Sequence, residues 1–349
     1  MTKILVIRYR FIGDTILTIP FLRNLRKACP DAQIDMLVGP VSGDVLLNCP
    51  YIDNLIIFDT TRKHKYDSSQ EKRKSFFSYV NLLRKNKYDK AYVLKRSLSS
   101  AALAFLAGIK KRIGFDTENR GFLLTKRVPY VENRHEVECF LDVLRHDNIS
   151  THDNYLENWL SPESEAKIDN IFDKLNISNN PKILIHATSG NESKQWPLEY
   201  FAKLVEYLSN EKNIQIFYAG TAKDSDVYEK IHSLISAKLN IKPINLCGKL
   251  SIQDSAALIS KMNLAIGSDS GTLHIAASVN IPVIGIYGPM NPIKWQAWGD
   301  IHTALYSDMP CVPCGLRKKC PKNIACLKNI TPDMVINNLK TYLSSQTET

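Results

Sequence analysis

At 349 residues the chain exceeds what one ordinary hydrophobic core serves and sits at about two domains. Hydrophobic residues make up 44% and charged ones 23%, an ordinary globular composition with no low-complexity tract. Lysine and arginine total 45 against 35 acids; the net charge of +10 either suits an anionic partner (nucleic acid, an acidic membrane surface, phosphorylated small molecules) or serves no purpose.

The chain opens with the apolar run Ile4–Ile7, followed at once by Arg8 and Arg10 and lacking a small-residue cleavage site, so it does not read as a signal peptide. No uncharged apolar stretch approaches the roughly 20 residues of a spanning helix. The expectation is a cytoplasmic protein that at most touches a membrane from that side. Lys3–Ile7 predicts a first strand, followed by a turn and a helical-period pattern through Ile16, Leu17, Ile19, Phe21, Leu22 and Leu25. Pro20 inside that pattern implies a kink or a late helix start. Further strands are expected at Gln33–Val38, Asn54–Phe58 and Lys90–Leu94, with helices near 70–86 and 98–107 and helical spacing again at His135–Arg145. Such alternation predicts a parallel sheet covered on both faces.

Ser161-Pro162-Glu163 reads as a helix start, and residues 161–181 as a linker. The alternation then resumes, with strands at Lys182–His186, Ile214–Tyr218, Ile244–Leu246, Leu264–Ile266 and Val283–Ile286. Thr331-Pro332-Asp333 opens a last helix with Val335, Leu339, Tyr342 and Leu343 on one side. The expected organisation is an α/β chain of two Rossmann-like domains facing across a cleft, 1–160 and 182–330, with the final helix and tail at 331–349.

Three strand-to-helix junctions carry candidate chemistry. In an open parallel sheet, ligands sit beyond the carboxyl ends of the strands. Gly13-Asp14 lies there after the first strand; Asp14 either accepts a proton from a hydroxyl nucleophile or caps the helix. The loop from His186 to Pro197 supplies Thr188, Ser189 and Gly190, with Lys194 as a mobile cation, a set that can hold a diphosphate. It is not a Walker loop, and no G-x-G-x-x-G occurs. In Asp269-Ser270-Gly271-Thr272-Leu273-His274, hydroxyls and amides meet a helix N-terminus that favours an anion, while Asp269 suits neutral sugar hydroxyls. His274 faces the phosphates or packs under the turn.

These residues resemble the signature regions of glycosyltransferase family 9, the heptosyltransferases: Gly13-Asp14 with Leu17 and Pro20, Lys194-Trp196-Pro197, and Asp269 to His274 followed by Ala276-Ala277. The resemblance extends to Arg112-Ile113-Gly114-Phe115, Arg134-His135-Glu136-Val137-Glu138 and Val283–Pro289. It implies a GT-B fold with a final helix crossing back, the acceptor in the first domain, the nucleotide-diphosphate sugar in the second, and inversion at the sugar with no required cofactor. By motif position it makes Asp14 the general base. Thr188, Ser189, Gly190 and Lys194, with the amides of Ser270, Gly271 and Thr272 and with His274, become the diphosphate site, and Asp269 holds the sugar. Asp224 stands where a glutamate contacts the ribose, and Leu250 where an apolar residue covers the adenine. The implied donor is an ADP-heptose and the implied acceptor an anionic, lipid-linked lipopolysaccharide core. Another nucleotide sugar, another acceptor or a non-catalytic sugar-nucleotide-binding relative are the alternatives.

Two clusters remain. Arg62, Lys63 and Lys65, with Lys95 and Arg96 after a strand, are candidates for receiving acidic acceptor groups or are a solvated face; Phe76 and Phe77 nearby are candidates for touching a bilayer. Cys311-x2-Cys314-x5-Cys320-x5-Cys326 reads either as a structural zinc site or as free thiols, whereas Cys29, Cys49, Cys139 and Cys247 lie scattered in apolar segments as core residues. Nucleic acid is not expected, because the phosphate-type loops sit at strand ends and not on a basic face interleaved with aromatics.

Overall fold

The structure, a computed structural model, describes residues 1–60, 74–211, 213–236, 238–315 and 320–347. Contacts divide the chain into two units, Met1–Trp159 and Leu160–Thr349. The first holds β1 (Lys3–Ile7), α1 (Ile12–Ile16), α2 (Ile19–Ala28), β2 (Gln33–Val38), β3 (Asn54–Ile57), α3 (Phe76–Asn86), β4 (Lys90–Val93), α4 (Leu98–Leu106), β5 (Lys111–Phe115), β6 (Lys126–Val128) and α5 (Glu136–His146). Every neighbouring strand pair is parallel, in the order β3-β2-β1-β4-β5-β6. This is the doubly wound order, reversing between β1 and β4.

The strands read as continuous apolar runs because both faces are covered. Leu5, Ile7, Leu37, Ala91 and Val93 join one core with Tyr79, Val80 and Leu83 of α3 and Ala101, Leu103 and Ala104 of α4. Their alternates point the other way, where Phe21 of α2 meets Tyr92 edge-on at 5.3 Å and Phe140 of α5 lies 6.3 Å from Phe115. Pro20 sits in the first turn of α2 and marks a helix start, since its missing amide donor costs nothing there.

The second unit repeats the plan with α6 (Pro162–Lys174), β7 (Lys182–His186), α7 (Leu198–Asn210), β8 (Gln215–Tyr218), α8 (Ala222–Ser233), β9 (Ile244–Asn245), α9 (Ile252–Ser260), β10 (Leu264–Ser268), α10 (Gly271–Ser278), β11 (Val283–Tyr287), β12 (Thr303–Tyr306) and α11 (Pro332–Thr347). The order β12-β11-β10-β7-β8-β9 is again wholly parallel and reverses between β7 and β10. Ser161 caps α6, its hydroxyl accepting from the Ser164 amide at 3.1 Å, and α6 packs on α9 within this unit. The last helix packs on α7 and β11, with Val335 and Leu339 fully buried beside Leu327 and Ile330.

Three strands escape the sequence pattern. β5 begins with two cations, β6 is three residues long, and β12 is an edge strand of half-buried and exposed residues. The reversal points need the opposite of bulk. A Cβ added at Gly267 in β10 would stand 2.4 Å from the His186 carbonyl of β7, so only glycine lets these strands carry their loops side by side. Gly267→Ala is expected to lower unfolding free energy by about 1–3 kcal/mol in urea titration; an unchanged midpoint would contradict this packing.

Candidate functional site

The carboxyl ends flanking the first reversal point gather charge. After β1, Asp14 in α1 accepts from the Phe11 amide at 2.9 Å and pairs through its other oxygen with the Arg8 guanidinium. Asp14 is therefore a helix cap, and its position beyond the strand end still leaves carboxylate lone pairs available. After β4 come Lys95 and Arg96. Burial first, then Arg8, with Arg10 and Arg96 adding to it and Asp14 opposing, pushes the Lys95 ammonium down to about 8. Arg96 lies over the Tyr130 ring at 3.9 Å and 3.7 Å from Glu136, a fully buried carboxylate that also accepts from the Tyr130 hydroxyl at 2.6 Å. Arg120, fully buried, donates to the Lys95 and Phe115 carbonyls and so ties the backbone after β4 to the end of β5. Arg8 directly follows the apolar strand β1, a placement that marks a strand's carboxyl end, whereas Arg120 lies well beyond β5 and carries no such mark in the sequence. Phe77 is exposed and Phe76 half-buried. Arg62, Lys63 and Lys65 lie outside the described residues.

The second reversal point gathers hydroxyls around one ion pair. After β7, the Ser189 hydroxyl donates to the Asp269 carbonyl at 2.7 Å, and Gly190 has open space where a side chain would stand. Lys194, in the turn Glu192–Lys194, reaches the Asp269 carboxylate at 2.9 Å. Trp196 anchors this loop: it is fully buried, its amide donates to the Ser268 hydroxyl at 3.0 Å, and its indole donates to the Ile330 carbonyl at 2.7 Å. After β10, Ser270 is the N-cap of α10 but makes no side-chain cap bond, and its buried hydroxyl has no partner among the described residues.

His186 sits under both loops. It is almost wholly buried, with Nδ1 3.3 Å from the Ala219 carbonyl and Nε2 3.2 Å from the Thr272 hydroxyl and 3.4 Å from that of Thr188. Burial pushes its pKa below the ordinary value against the opposing effects of Asp224 and the Ala219 carbonyl, so the ring is neutral near pH 7. With Nδ1–H donating to the Ala219 carbonyl, Nε2 accepts from the hydroxyls. His274, on α10, is buried. Asp224 caps α8, accepting from the Thr221 amide at 2.6 Å and its hydroxyl at 2.9 Å. Leu250 is half-buried just before the Ser251 cap of α9.

The four clustered cysteines are free thiols, and among the described residues no group of three or more His, Cys, Asp or Glu forms a ready metal-ligand set. Among them too, no helix is long and apolar enough to cross a membrane.

Two doubly wound units, each a six-stranded parallel sheet with one reversal point, are the architecture of the GT-B fold class. The model of glycosyltransferase family 9 (heptosyltransferase) matches residues 76–325, and the chain belongs to that family. It is 26% identical to lipooligosaccharide heptosyltransferase 2 of Campylobacter jejuni, over 98% of this chain and 99% of that one. It is 29% identical to lipopolysaccharide heptosyltransferase 2 of Escherichia coli, over 83% and 84%. The solved structure of the Escherichia coli ADP-heptose lipopolysaccharide heptosyltransferase II superposes with a TM-score of 0.78 over 99% and 100% of the two chains at 22% identity.

The Lys194–Asp269 pair is largely shielded on the aspartate side, at 8% side-chain exposure against 24% for the lysine. Lys194→Ala is expected to cost about 2 kcal/mol by leaving that carboxylate without its cation. Adding Asp269→Asn should then cost less than it does alone, with a coupling of about 0.5–3 kcal/mol in a double-mutant cycle. Additive losses would contradict the pairing.

Proposed function

We propose that this enzyme transfers a heptose from an ADP-heptose to a lipopolysaccharide inner-core acceptor at the cytoplasmic face of the inner membrane. The observation that carries the donor half is the reversal point of the second sheet. There Thr188, Ser189, Ser270 and Thr272 bring hydroxyls to the N-terminus of α10 beside Lys194, with Gly190 leaving room for close approach. Breaking the sugar–phosphate bond leaves negative charge on the diphosphate, and helix-end amides with an ammonium stabilise that charge in place. In this reading Lys194 leaves or shares Asp269 when the diphosphate arrives, and Asp269 turns to the hydroxyls of the transferred sugar. Asp224 and Leu250 flank the ribose and adenine. No cofactor is needed for the bond exchange itself.

For the acceptor half, Asp14 takes the proton as the acceptor oxygen bonds to the anomeric carbon and the diphosphate departs with the bonding pair. Arg8 and the Phe11 amide hold the carboxylate in one orientation. Lys95 and Arg96, the latter locked by Tyr130 and Glu136, supply positive charge for acidic acceptor groups. The names and solved structure of the relatives support heptose and ADP as the specific chemistry.

Thermal denaturation with ADP, UDP, GDP and ADP-heptose tests the donor. ADP and ADP-heptose at about a hundred times their Kd should each add ~2.7 kcal/mol, weakened in Lys194→Ala and retained in Asp14→Asn. Stabilisation by UDP or GDP alone would reject the ADP donor. Asp14→Asn should also lower kcat by about 10²–10⁴-fold; near-native turnover would remove Asp14 as the base.

Lys95 gives a pH signature. Its folded pKa is depressed, so carrying the charge costs stability below about pH 8, and that cost fades as pH rises towards the ordinary lysine value. The ammonium also loses its charge above about 8, so KM for an anionic acceptor should rise there. Lys95→Arg should flatten that rise, because a guanidinium stays charged. A flat profile in the unmodified enzyme would rule out Lys95 as the acceptor's cation.

A further inference from the structure

One buried ring ties together three strand ends in the second unit. His186 closes β7, and its Nδ1 lies 3.3 Å from the carbonyl of Ala219, the residue after β8. Its Nε2 lies 3.2 Å from the hydroxyl of Thr272, in the first turn of α10 beyond β10, and 3.4 Å from that of Thr188 in its own loop. Two features hold the ring there. The Tyr228 hydroxyl of α8 donates to the Ile185 carbonyl at 3.0 Å and accepts from the Ala187 amide at 3.3 Å, so the backbone is clamped on either side of His186. Tyr228 is itself fully buried and stacks on Tyr218 with ring centroids 4.0 Å apart. Gly267 of β10 leaves the space alongside, since an added Cβ would stand 3.0 Å from the His186 Cβ.

Donors and acceptors at this ring do not match one to one. Nδ1–H is committed to the Ala219 carbonyl, which leaves Nε2 with one lone pair for two threonine hydroxyls. One hydroxyl donates to the ring while the other turns its proton elsewhere. Either can take the inner position, so the buried Nε2 keeps a donor whichever hydroxyl turns away. The Ser189 hydroxyl, bonded to the Asp269 carbonyl at 2.7 Å, ties the same two loops a second time. The backbone of the edge is therefore held without His186, and the ring's own contribution is the direction of the two threonine hydroxyls.

On the reading that the second reversal point holds the diphosphate, we propose that His186 is a positioning residue of the donor site: the shared acceptor that leaves one threonine hydroxyl, of Thr188 or Thr272, aimed at the ligand oxygens. As the sugar–phosphate bond breaks and charge grows on the diphosphate, that proton already faces it and needs no reorientation. The ring touches no substrate. It acts through Thr188 and Thr272, neither of which has another acceptor among the described side chains at this edge.

The test uses the full chain labelled with nitrogen-15 histidine, whose ring-nitrogen shifts read the tautomer directly. Near pH 7 the signal missing from His186→Gln should show a protonated Nδ1 and a bare Nε2, with and without ADP. Calorimetric titration with ADP reads the consequence. His186→Leu should raise the Kd about tenfold and the donor KM with it, while the acceptor KM stays unchanged. His186→Gln, whose amide oxygen accepts a hydroxyl proton, should recover most of that loss. In a Thr188→Val, Thr272→Val background, His186→Leu should change the Kd less than twofold. Urea titration shows which variants are folded; the tautomer of the unmodified protein decides the matter even where His186→Leu is not. A proton on Nε2, or an ADP Kd within twofold of the unmodified value in folded His186→Leu, would overturn the role of His186. So would an equal loss with and without the threonine hydroxyls. No ADP binding by the unmodified protein would instead reject the diphosphate site itself, and the positioning role with it.

Discussion

Where neighbouring strands of a parallel sheet send their chains to helices on opposite faces, the two loops part and leave backbone amides and side chains open at the carboxyl edge. This chain builds that discontinuity twice, between β1 and β4 and between β7 and β10. The residues with the most chemical capacity stand at those two places. Asp14, Lys95 and Arg96 follow the first pair of strands; Thr188, Ser189, Lys194 and Asp269 to Thr272 follow the second. Remaining features serve to hold these edges in shape. Gly267 keeps β7 and β10 at contact distance, Arg120 fixes the Lys95 carbonyl after β4 and the Phe115 carbonyl at the end of β5, and Trp196 pins the Lys194 loop to the core through both of its nitrogens.

Each reversal point also holds one carboxylate against one cation, Arg8 with Asp14 and Lys194 with Asp269. The two pairs differ in a way that matches the proposed division of work. Arg8 is almost wholly buried and comes from the strand end itself, so it orients a carboxylate that must stay in place. Lys194 is a more exposed lysine in a loop turn, with a flexible stem and a point charge able to change partner. Beneath that pair, neutral His186 accepts from the threonine hydroxyls and adds no further charge to the Lys194–Asp269 pair.

Much of this was legible in the sequence, because the central strands of a doubly covered parallel sheet must be apolar throughout. Lys3–Ile7, Gln33–Val38 and Lys182–His186 are read to the residue. β5, β6 and β12 were not legible as strands, since they lie towards the sheet edges where cations, short length and partial exposure erase the pattern. The candidate site residues near glycine turns stand out in the sequence through their loop chemistry, and the structure sets them at strand ends. Their pairing does not: the Lys194–Asp269 bridge spans 75 positions, and the Glu136–Tyr130–Arg96 cluster needs the end of β4 brought to the start of α5. That Cys311, Cys314, Cys320 and Cys326 all border one cavity likewise depends on how an irregular segment folds back on itself.

The central claim is that the second reversal point holds the nucleoside diphosphate. Hydrogen–deuterium exchange of the full chain with and without saturating ADP tests it most directly. The amides of 187–194 and 268–274 should gain protection on binding, as loop and helix-end donors take the phosphates. Protection confined to the strand ends of the first unit, or absent from both of these stretches, would contradict it.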